Sequence, residues 1–409
     1  MNIFLTAFIS GAAFLLGFLL FLNPAQQNIK ANKWLGFFML TIGCAFISSY
    51  MVLNSLYESN IHLFRFLICT QFLAGASLFI STLYFVSPVK SFSYSDALHF
   101  LPFIVYATAE VVFRTDKASI SSYTLFSINS NVSFLVRDLL PFLNLFYIIK
   151  AYMALKKHRQ NIQLISSSIG RISLNWLRWV LLTLFFIIVV SMNDALFELP
   201  ILTPLTNIAY SISIFFLAYF SIRQKNIFDY KENEAKEIAI LLSGNSNNTN
   251  TKPVTDQTPP NTSTVIERNT PVTMPVEKAH KKAKTKRISN EQMSILGKQL
   301  VSLMENEKLY LENDLGLPEV ANKLGISIHE ASFLVNEVTG LNFYNFINRY
   351  RVEEAKKLLA SARASELNIL GIAFASGFNS KTTFNTAFRK WAGISPSDFM
   401  KNIREKREI

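Results

Sequence analysis

Residues 369–400 read ILGIAFASGFNSKTTFNTAFRKWAGISPSDFM and contain two short helical patterns on either side of Gly377. Ser380 stands directly before the second pattern, at the position of a residue that caps a helix. Gly393 and Pro396 follow the second pattern and predict where that helix ends. A short helix, a turn with glycine and a second helix are the parts of a helix-turn-helix, in which the second helix enters a DNA major groove.

Apolar and polar side chains in this stretch fall on different faces of the two predicted helices. The positions predicted to be buried are Ile369, Ile372, Ala373, Ala375, Phe384, Ala387, Phe388 and Trp391. The outer face of the second helix carries Lys381, Thr382, Asn385, Arg389 and Lys390. Hydroxyl, amide and cationic groups of this kind contact bases and phosphates in protein–DNA interfaces. The pattern alone leaves a second interpretation open, an ordinary helical hairpin.

The same stretch matches a family signature at individual residues. These are Ile372, Ala373, Gly377, Phe378, Ser380, Phe384, Phe388, Arg389, Lys390, Gly393, Ser395 and Pro396. With them, the chain resembles the AraC/XylS family of bacterial transcription regulators over about residues 290–403. The resemblance implies sequence-specific regulation of transcription at bacterial promoters. It also implies two helix-turn-helix units, whose recognition helices enter successive major grooves about 34 Å apart.

A first helix-turn-helix is predicted upstream of this stretch. Pro318 favours the start of its first helix, Gly325 the turn, and Ser327 the cap of a second helix that ends at Gly340. Apolar residues then recur at helical spacing over residues 342–360, which predicts a linking helix. That helix would pack the two units into one rigid body.

Family position and outward direction together select the candidates for DNA contact. In the second unit they are Lys381, Thr382, Thr383, Asn385 and Thr386 for bases, and Lys381, Arg389 and Lys390 for phosphates. In the first unit they are His329, Ser332 and Asn336. The first recognition helix also carries Glu330 and Glu337, where family members often place an Arg and a Lys.

Charge separates the two units. Residues 288–348 carry three Lys against eight Asp or Glu, a net charge of −5, whereas residues 349–409 carry twelve Lys or Arg against six Asp or Glu, a net charge of +6. Carboxylates repel DNA phosphates. The second unit is therefore expected to make most of the phosphate contacts.

Composition indicates that an apolar region precedes this domain. The chain has 409 residues, 50% of them hydrophobic, and a mean hydropathy of +0.26; the apolar residues concentrate in the first 222. The formal charge of +12 suits either nucleic acid or an anionic membrane surface. Cys44 and Cys69 lie in separate apolar stretches and favour neither a disulfide nor a metal site, and no cofactor is predicted.

Seven apolar runs predict helices that span a membrane. They lie at about residues 2–22, 34–53, 63–86, 97–113, 133–153, 176–196 and 201–222. The first run has no basic n-region and a poor cleavage site, which favours a retained helix over a signal peptide. Nine Lys or Arg lie in the loops and helix ends of one side and two in those of the other. The positive-inside rule therefore places the N-terminus outside a bacterial inner membrane and the C-terminus in the cytoplasm.

The sequence thus predicts an all-α protein with four segments. A seven-helix transmembrane sensor domain (1–222) precedes a juxtamembrane helix (223–242), a disordered linker (243–287) and the DNA-binding domain (288–409). The linker ends in a basic run, made of Lys278, Lys281, Lys282, Lys284, Lys286 and Arg287. This run would contact DNA phosphates or anionic lipids, or remain a solvated tether.

Ionisable residues of the predicted spans gather toward the outer side, at Glu110, Arg137, Asp138, Asp194 and Glu198. Charged groups within a membrane usually face a bundle interior or a water-filled cavity. An outward-facing pocket for an external ligand is therefore one hypothesis, and mutual pairing of these groups is the alternative.

Three classes of function follow from these patterns. The first is a membrane-bound regulator of transcription, the second a membrane receptor whose helical tail binds a protein partner, and the third an enzyme or transporter in the membrane half. The chain has no nucleophile motif, phosphate-binding loop or zinc motif, so no enzyme is predicted. The predicted partners are double-stranded DNA, membrane lipids, a second copy of the chain and an unidentified ligand, with RNA polymerase as an open case.

Overall fold

The structure, a computed structural model, describes residues 3–24, 26–87, 89–112, 139–168, 172–197, 203–223, 230–244, 289–361 and 367–407. Within these ranges all regular structure is helical and no β-strand occurs; a single isolated bridge pairs Ser166 with Gly316. The prediction of an all-α protein is confirmed.

The N-terminal half is a bundle of apolar helices. They are α1 (Ile3–Leu22), α2 (Ile29–Leu53), α3 (Ile61–Thr70), α4 (Ala74–Val86), α5 (Tyr94–Ala97), α6 (Leu101–Val112), α7 (Leu140–Ile165), α8 (Asn175–Phe197) and α9 (Thr203–Arg223). The 3₁₀ turn Gln71–Leu73 joins α3 to α4, so that the two form one long helical stretch. A juxtamembrane helix, α10 (Glu232–Gly244), follows the bundle.

Small residues allow the first two helices to approach closely. A Cβ added at Gly36 on α2 would lie 2.8 Å from the carbonyl oxygen of Gly17 on α1. Close crossing at small residues is typical of helices packed in a lipid environment. Elsewhere on the bundle, large apolar side chains such as Phe4, Phe18 and Trp179 are exposed. An outward apolar surface of this extent suits contact with hydrocarbon.

Four helical stretches among the described residues are long and apolar enough to cross a membrane: Ile3–Leu22, Ile29–Leu53, Ile61–Val86 and Asn175–Met192. A shorter apolar helix occupies Asn207–Phe220. The predicted count of seven spans is not confirmed. Helix α6 reaches Val112, the last described residue before a gap, and residues 133–138 of the fifth predicted span lie outside the described ranges.

The C-terminal unit consists of short helices around two adjoining cores. They are α11 (Asn290–Glu305), α12 (Leu317–Leu324), α13 (Ile328–Thr339), α14 (Phe343–Ala360), α15 (Ile369–Ala375), α16 (Lys381–Ala392) and α17 (Pro396–Arg407). One core lies among α10 to α14, and the other lies among α14 to α17. The long helix α14 contributes to both and therefore joins them.

The local signals of both helix-turn-helix units are confirmed. Ser327 and Ser380 cap α13 and α16, because each side chain accepts a hydrogen bond from the backbone N–H three residues later. Gly340 and Gly393 end these helices in the left-handed conformation. The linking helix α14 begins and ends where residues 342–360 predict it.

Gly377 carries a steric requirement that a stability measurement can test. Its φ is +87°, and an added Cβ would lie 2.5 Å from the carbonyl oxygen of Tyr310 and 2.9 Å from the Cα of Leu311. Gly377→Ala is therefore expected to lower the free energy of unfolding by about 3 kcal/mol, from backbone strain and overpacking together. Pulse proteolysis of the full chain in detergent across a urea series measures this change.

Gly325→Ala is the matched control for this substitution. Gly325 lies in the turn of the first unit with a φ of +66°, but an added Cβ there meets no atom within 4 Å. Only the backbone strain remains in Gly325→Ala, so the free energy of unfolding is expected to fall by about 1 kcal/mol. Equal losses for the two variants would show that the contact with Tyr310 does not constrain the turn.

Candidate nucleic-acid interface

The second recognition helix, α16, is held by aromatic packing on its inner face. Phe384 and Phe388 are fully buried. They form a chain of edge-to-face contacts that runs from Phe378 through both rings to Phe399, with centroid separations of 5.2 to 5.5 Å. Such contacts stabilise one orientation of the helix. The opposite face of α16 is therefore presented to solvent.

That outer face carries the side chains that the sequence selects for DNA contact. Lys381, Thr382, Thr386, Arg389 and Lys390 are exposed, and Thr383 and Asn385 are half-buried. Lys381, Asn385 and Arg389 follow one another at intervals of four residues, so they lie along one side of the helix. Neither Lys381 nor Arg389 has an ion-pair partner among the described residues.

Three members of this set have additional contacts. The hydroxyl of Thr386 donates to the carbonyl oxygen of Thr382 at 2.9 Å, within α16 itself. The hydroxyl of Ser380 donates to Oγ1 of Thr383 at 2.8 Å, so the Thr383 side chain belongs to the helix cap. The Nζ atom of Lys390 donates to Oδ1 of Asn345 on α14 at 3.0 Å. This bond turns Lys390 toward the linking helix, at the edge of the outer face. Lys381, Thr382, Asn385, Thr386 and Arg389 are left as the open part of the surface.

The first recognition helix, α13, has a different chemistry. Its candidate residues His329 and Asn336 are exposed and Ser332 is half-buried. Glu330 does not project as the sequence suggests, because its carboxylate accepts hydrogen bonds from the backbone N–H and the hydroxyl of Ser327 at 3.0 and 2.8 Å. An exposed aromatic ring, Phe333, lies between the polar candidates.

Arg351 joins the two units from within, and sequence reasoning missed it. The side chain is 1% exposed. Its Nε donates to the carbonyl oxygen of Tyr310 at 2.7 Å and its Nη2 to that of Glu312 at 2.6 Å. Desolvation lowers the pKa of the guanidinium to about 10, so the group stays charged near neutral pH. A signal was present, because Arg351 lies four residues from both Ile347 and Ala355 on the buried stripe of α14.

Comparison with known proteins identifies the domain that carries these helices. A family model described as a helix-turn-helix domain matches residues 320–402. The C-terminal unit is an AraC-type helix-turn-helix domain. The match includes both recognition helices and the linking helix of the AraC-type domain.

Named relatives resemble the chain over the same region. The transcriptional activator RhaS of Mannheimia succiniciproducens is 28% identical over 102 residues, which are 25% of this chain and 36% of the relative. An uncharacterized HTH-type transcriptional regulator of Pseudoalteromonas carrageenovora is 31% identical over 108 residues, 25% of this chain and 60% of the relative. RhaS of Escherichia coli is 29% identical over 99 residues, 24% of this chain and 33% of the relative. The chain thus matches from about a third to 60% of these relatives' lengths. No solved structure matches it.

The segment after α7 contacts the AraC-type domain directly. The backbone N–H and the hydroxyl of Ser167 donate to the carbonyl oxygen of Leu315 at 3.1 and 2.6 Å. Arg351 donates from Nη2 to the Ser167 hydroxyl at 3.0 Å, and Asn379 donates to the hydroxyl of Ser168. Ser167 is fully buried by these contacts. The first residues after the α7 helix are therefore fixed against the loop that precedes α12 and the turn that precedes α16.

Helix α10 makes a second contact with the AraC-type domain. Ile238, Leu241 and Leu242 are buried in the same core as α11 to α13. The Oε2 atom of Glu237 accepts a hydrogen bond from the backbone N–H of Ile328 at 3.0 Å. Ile328 is the first residue of α13. A carboxylate of the juxtamembrane helix thus lies at the N-terminal end of the first recognition helix, where DNA-binding helices often meet a phosphate.

The predicted ligand pocket has no described geometry. Arg137, Asp138 and Glu198 lie outside the described residues. Glu110 and Asp194 belong to α6 and α8, but the positions of their side chains are outside the description. Among the side chains that the structure does describe, no group of three metal-ligating residues comes together.

Proposed function

We propose that this chain is a membrane-attached regulator of transcription that binds specific DNA sequences through its AraC-type domain. The observation that carries the proposal is the outer face of α16, which combines exposed cations with hydroxyl and amide groups on a rigid, capped helix. The relatives support it, because they are named as transcriptional activators or regulators. The matched domain and these names indicate a regulator rather than an enzyme.

The membrane attachment is supported by the four long apolar helices and their exposed apolar surfaces. With the N-terminus outside, cationic residues such as Lys30, Lys33, Lys156 and Arg159 lie on the inner side. This orientation places the AraC-type domain in the cytoplasm of a bacterium, where it meets DNA. A second copy of the chain, an external ligand and RNA polymerase stay predictions.

Coupling between the two halves would pass through their direct contacts. Ser167 bonds to Leu315 and Arg351, and Glu237 bonds to the end of α13, so a shift of α7 or α10 changes groups in the DNA-binding domain itself. A signal in the membrane half would then alter how the domain meets DNA. The carboxylate of Glu237 would lower the affinity for DNA in this arrangement, because it places a negative charge at the N-terminal end of α13, where a DNA phosphate would otherwise bind.

Glu237→Gln is expected to raise the affinity of the full chain for DNA. The substitution removes the negative charge beside the N-terminus of α13 and leaves an oxygen that accepts the bond from Ile328. A single charge at a helix terminus changes the binding free energy of an anion only moderately, so a gain in DNA affinity of about threefold to tenfold is expected at low salt. Fluorescence anisotropy of a labelled duplex, titrated with the chain in lipid nanodiscs, measures it.

Glu234→Gln is the control, because it makes the same charge change one turn earlier on α10. The Glu234 carboxylate accepts a hydrogen bond from the backbone N–H of Lys231, the residue directly before α10. Its replacement should leave the affinity almost unchanged. An equal gain for both variants would mean that only the total charge matters and that the position at α13 does not.

Membrane attachment and DNA binding can be tested together by flotation. The full chain is reconstituted into liposomes, mixed with labelled duplexes and centrifuged through a density gradient. The proposal predicts that a selected target duplex floats with the liposomes and that a scrambled duplex stays at the bottom at moderate salt. A chain that leaves the liposomes in alkaline carbonate would contradict the membrane attachment.

One observation favours a second function, a receptor whose tail binds a protein. Phe333 and Val338 on α13 are 46% and 43% exposed, and the unit that contains them carries a net charge of −5. An apolar, acidic surface is a poor match for phosphates. This function predicts that the tail binds duplex DNA no better than its total charge would give.

A further inference from the structure

A basic cleft lies between the end of α7 and the start of α8. Its volume is about 250 Å³, and the polar side chains that line it are Tyr152, Lys156, Arg159, Gln160, Gln163 and Arg178. Three of these side chains are cations and none is a carboxylate. Neither Lys156, Arg159 nor Arg178 has an ion-pair partner in the part of the chain that the structure describes.

Arg178 provides a second, independent observation. Its Nε atom is buried and makes no hydrogen bond. Buried donors without a partner are rare in folded proteins, because an unpaired donor loses its hydrogen bonds to water without a replacement. The guanidinium also stacks 5.5 Å from the ring of Trp179, which limits its freedom to turn away. An anion in the cleft would offset the charge of this guanidinium and of the other two cations.

The position of Arg178 strengthens the preference for an anion. It lies in the first turn of α8, which begins at Asn175 and has 23 residues. The N-terminal end of a helix carries a partial positive charge from its unpaired N–H groups. Two guanidinium groups and one ammonium group line the cleft, with one of the guanidinium groups in the first turn of a helix, and such a set is a typical environment for a phosphate.

We propose that this cleft binds a phosphate group, supplied either by an anionic phospholipid or by free phosphate. The lipid source rests on the proposed membrane attachment, because only then does the cleft lie at the inner membrane surface, where basic pockets between helices bind lipid headgroups. The phosphate site itself does not depend on DNA binding. It lies close to the contact with the AraC-type domain, since Gln163 precedes Ser166 by three residues on the same segment.

The test uses the full chain in detergent micelles, without DNA. Native mass spectrometry with added phosphatidylglycerol counts the bound lipid, and phosphatidylcholine gives the background for a headgroup without net charge. Arg178→Gln is expected to weaken phosphatidylglycerol binding about tenfold or more, because it removes a charge-assisted donor. Arg178→Lys keeps the charge but loses the planar fork, so it should bind with intermediate affinity.

Lys33→Gln is the matched control, because Lys33 is exposed and lies on the same predicted side but outside the cleft. Unchanged binding by this variant supports a local site. Competition by inorganic phosphate would assign free phosphate as the source, and its failure would assign the lipid. Equal loss of phosphatidylglycerol binding in Arg178→Gln and Lys33→Gln would overturn the proposal. Monodisperse elution of each variant excludes misfolding as the cause.

These outcomes are separable from those of the proposed function. A chain that selects no DNA sequence but binds phosphatidylglycerol through Arg178 would contradict the regulatory function and still support the phosphate site. A chain that selects a DNA sequence but shows no saturable phosphate binding would overturn the phosphate site and leave the regulatory function supported.

Discussion

Replacing Lys381 and Asn385 together by alanine is expected to abolish the sequence preference of the AraC-type domain without unfolding it. The two side chains lie one turn apart on the outer face of α16, and neither is fully buried. Direct contacts to base edges contribute about 1–3 kcal/mol each, so the pair should account for a loss of about 100-fold in affinity for a target duplex. Binding to a scrambled duplex should fall much less.

Anisotropy titrations of target and scrambled duplexes over a salt series separate these effects. Loss of the Lys381 charge should reduce the slope of log affinity against log salt by about one unit, because one fewer phosphate is neutralised. Lys298→Ala is the control, since Lys298 is exposed on α11 and belongs to neither recognition helix. An equal loss for both duplexes would show that these residues contact the backbone only, and would contradict their assignment to base reading.

Arg351→Leu is expected to destabilise the AraC-type domain by about 3 kcal/mol or more. The substitution leaves the carbonyl oxygens of Tyr310 and Glu312 and the hydroxyl of Ser167 without their buried donor. Each buried group left unpaired costs about 1–3 kcal/mol. The same change removes the guanidinium that lies 5.8 Å from the Phe378 ring, next to the turn of the second unit.

Ser167→Ala measures how much of this destabilisation comes from the hydrogen bonds between the segment after α7 and the AraC-type domain. It removes the hydroxyl that bonds to Leu315 and Arg351 but leaves the bonds of Arg351 within the domain. A loss of about 1 kcal/mol is expected for it, because the net contribution of a hydrogen bond is of that size. Urea unfolding of the full chain, followed by pulse proteolysis, measures both variants. A smaller loss for Arg351→Leu than for Ser167→Ala would contradict the central role of Arg351.

Sequence reasoning succeeded where the signals are local. The caps at Ser327 and Ser380 and the turns at Gly325 and Gly377 depend on residues three or four positions apart, and such signals can be read without knowledge of the fold. The burial of Phe384, Ala387 and Phe388 on α16 was predicted correctly for the same reason, because they follow the helical period. The exposure of Lys381, Thr382 and Thr386 follows from this, since they lie on the opposite face of the helix. Three positions predicted to be buried differ, since Ile369 and Trp391 are half-buried and Ala375 on α15 is exposed.

The contacts between the halves could not be predicted. Ser167 and Leu315 are 148 residues apart, and Glu237 and Ile328 are 91 residues apart. Hydrogen bonds between such distant segments leave no periodicity in either one. The linker prediction pointed instead toward a loosely tethered domain. Residues 245–288, which include most of the predicted linker, lie outside the described ranges. The contacts made by the segment after α7 and by α10 attach the AraC-type domain to the rest of the chain independently of that linker.

The predicted number of seven spans is not confirmed, because four of the described helical stretches are long and apolar enough to cross a membrane. A run of apolar residues predicts a span by composition, but α7 carries Lys150, Lys156 and Lys157 and continues into the segment that contacts the AraC-type domain. The helix is apolar in its first part and basic in its second part. Its apolar part resembles a span while its basic part lines the phosphate cleft, so hydropathy alone cannot classify it.

The central claim, sequence-specific DNA binding by the AraC-type domain, is tested most directly by selection from a random duplex library. The full chain in nanodiscs and the fragment 278–409 are each taken through several rounds at moderate salt, followed by sequencing. The predicted result is one shared motif with two half-sites about 10 bp apart, as expected for two recognition helices in successive major grooves. Salt-sensitive retention of DNA without any enriched motif, from both forms of the protein, would contradict the claim.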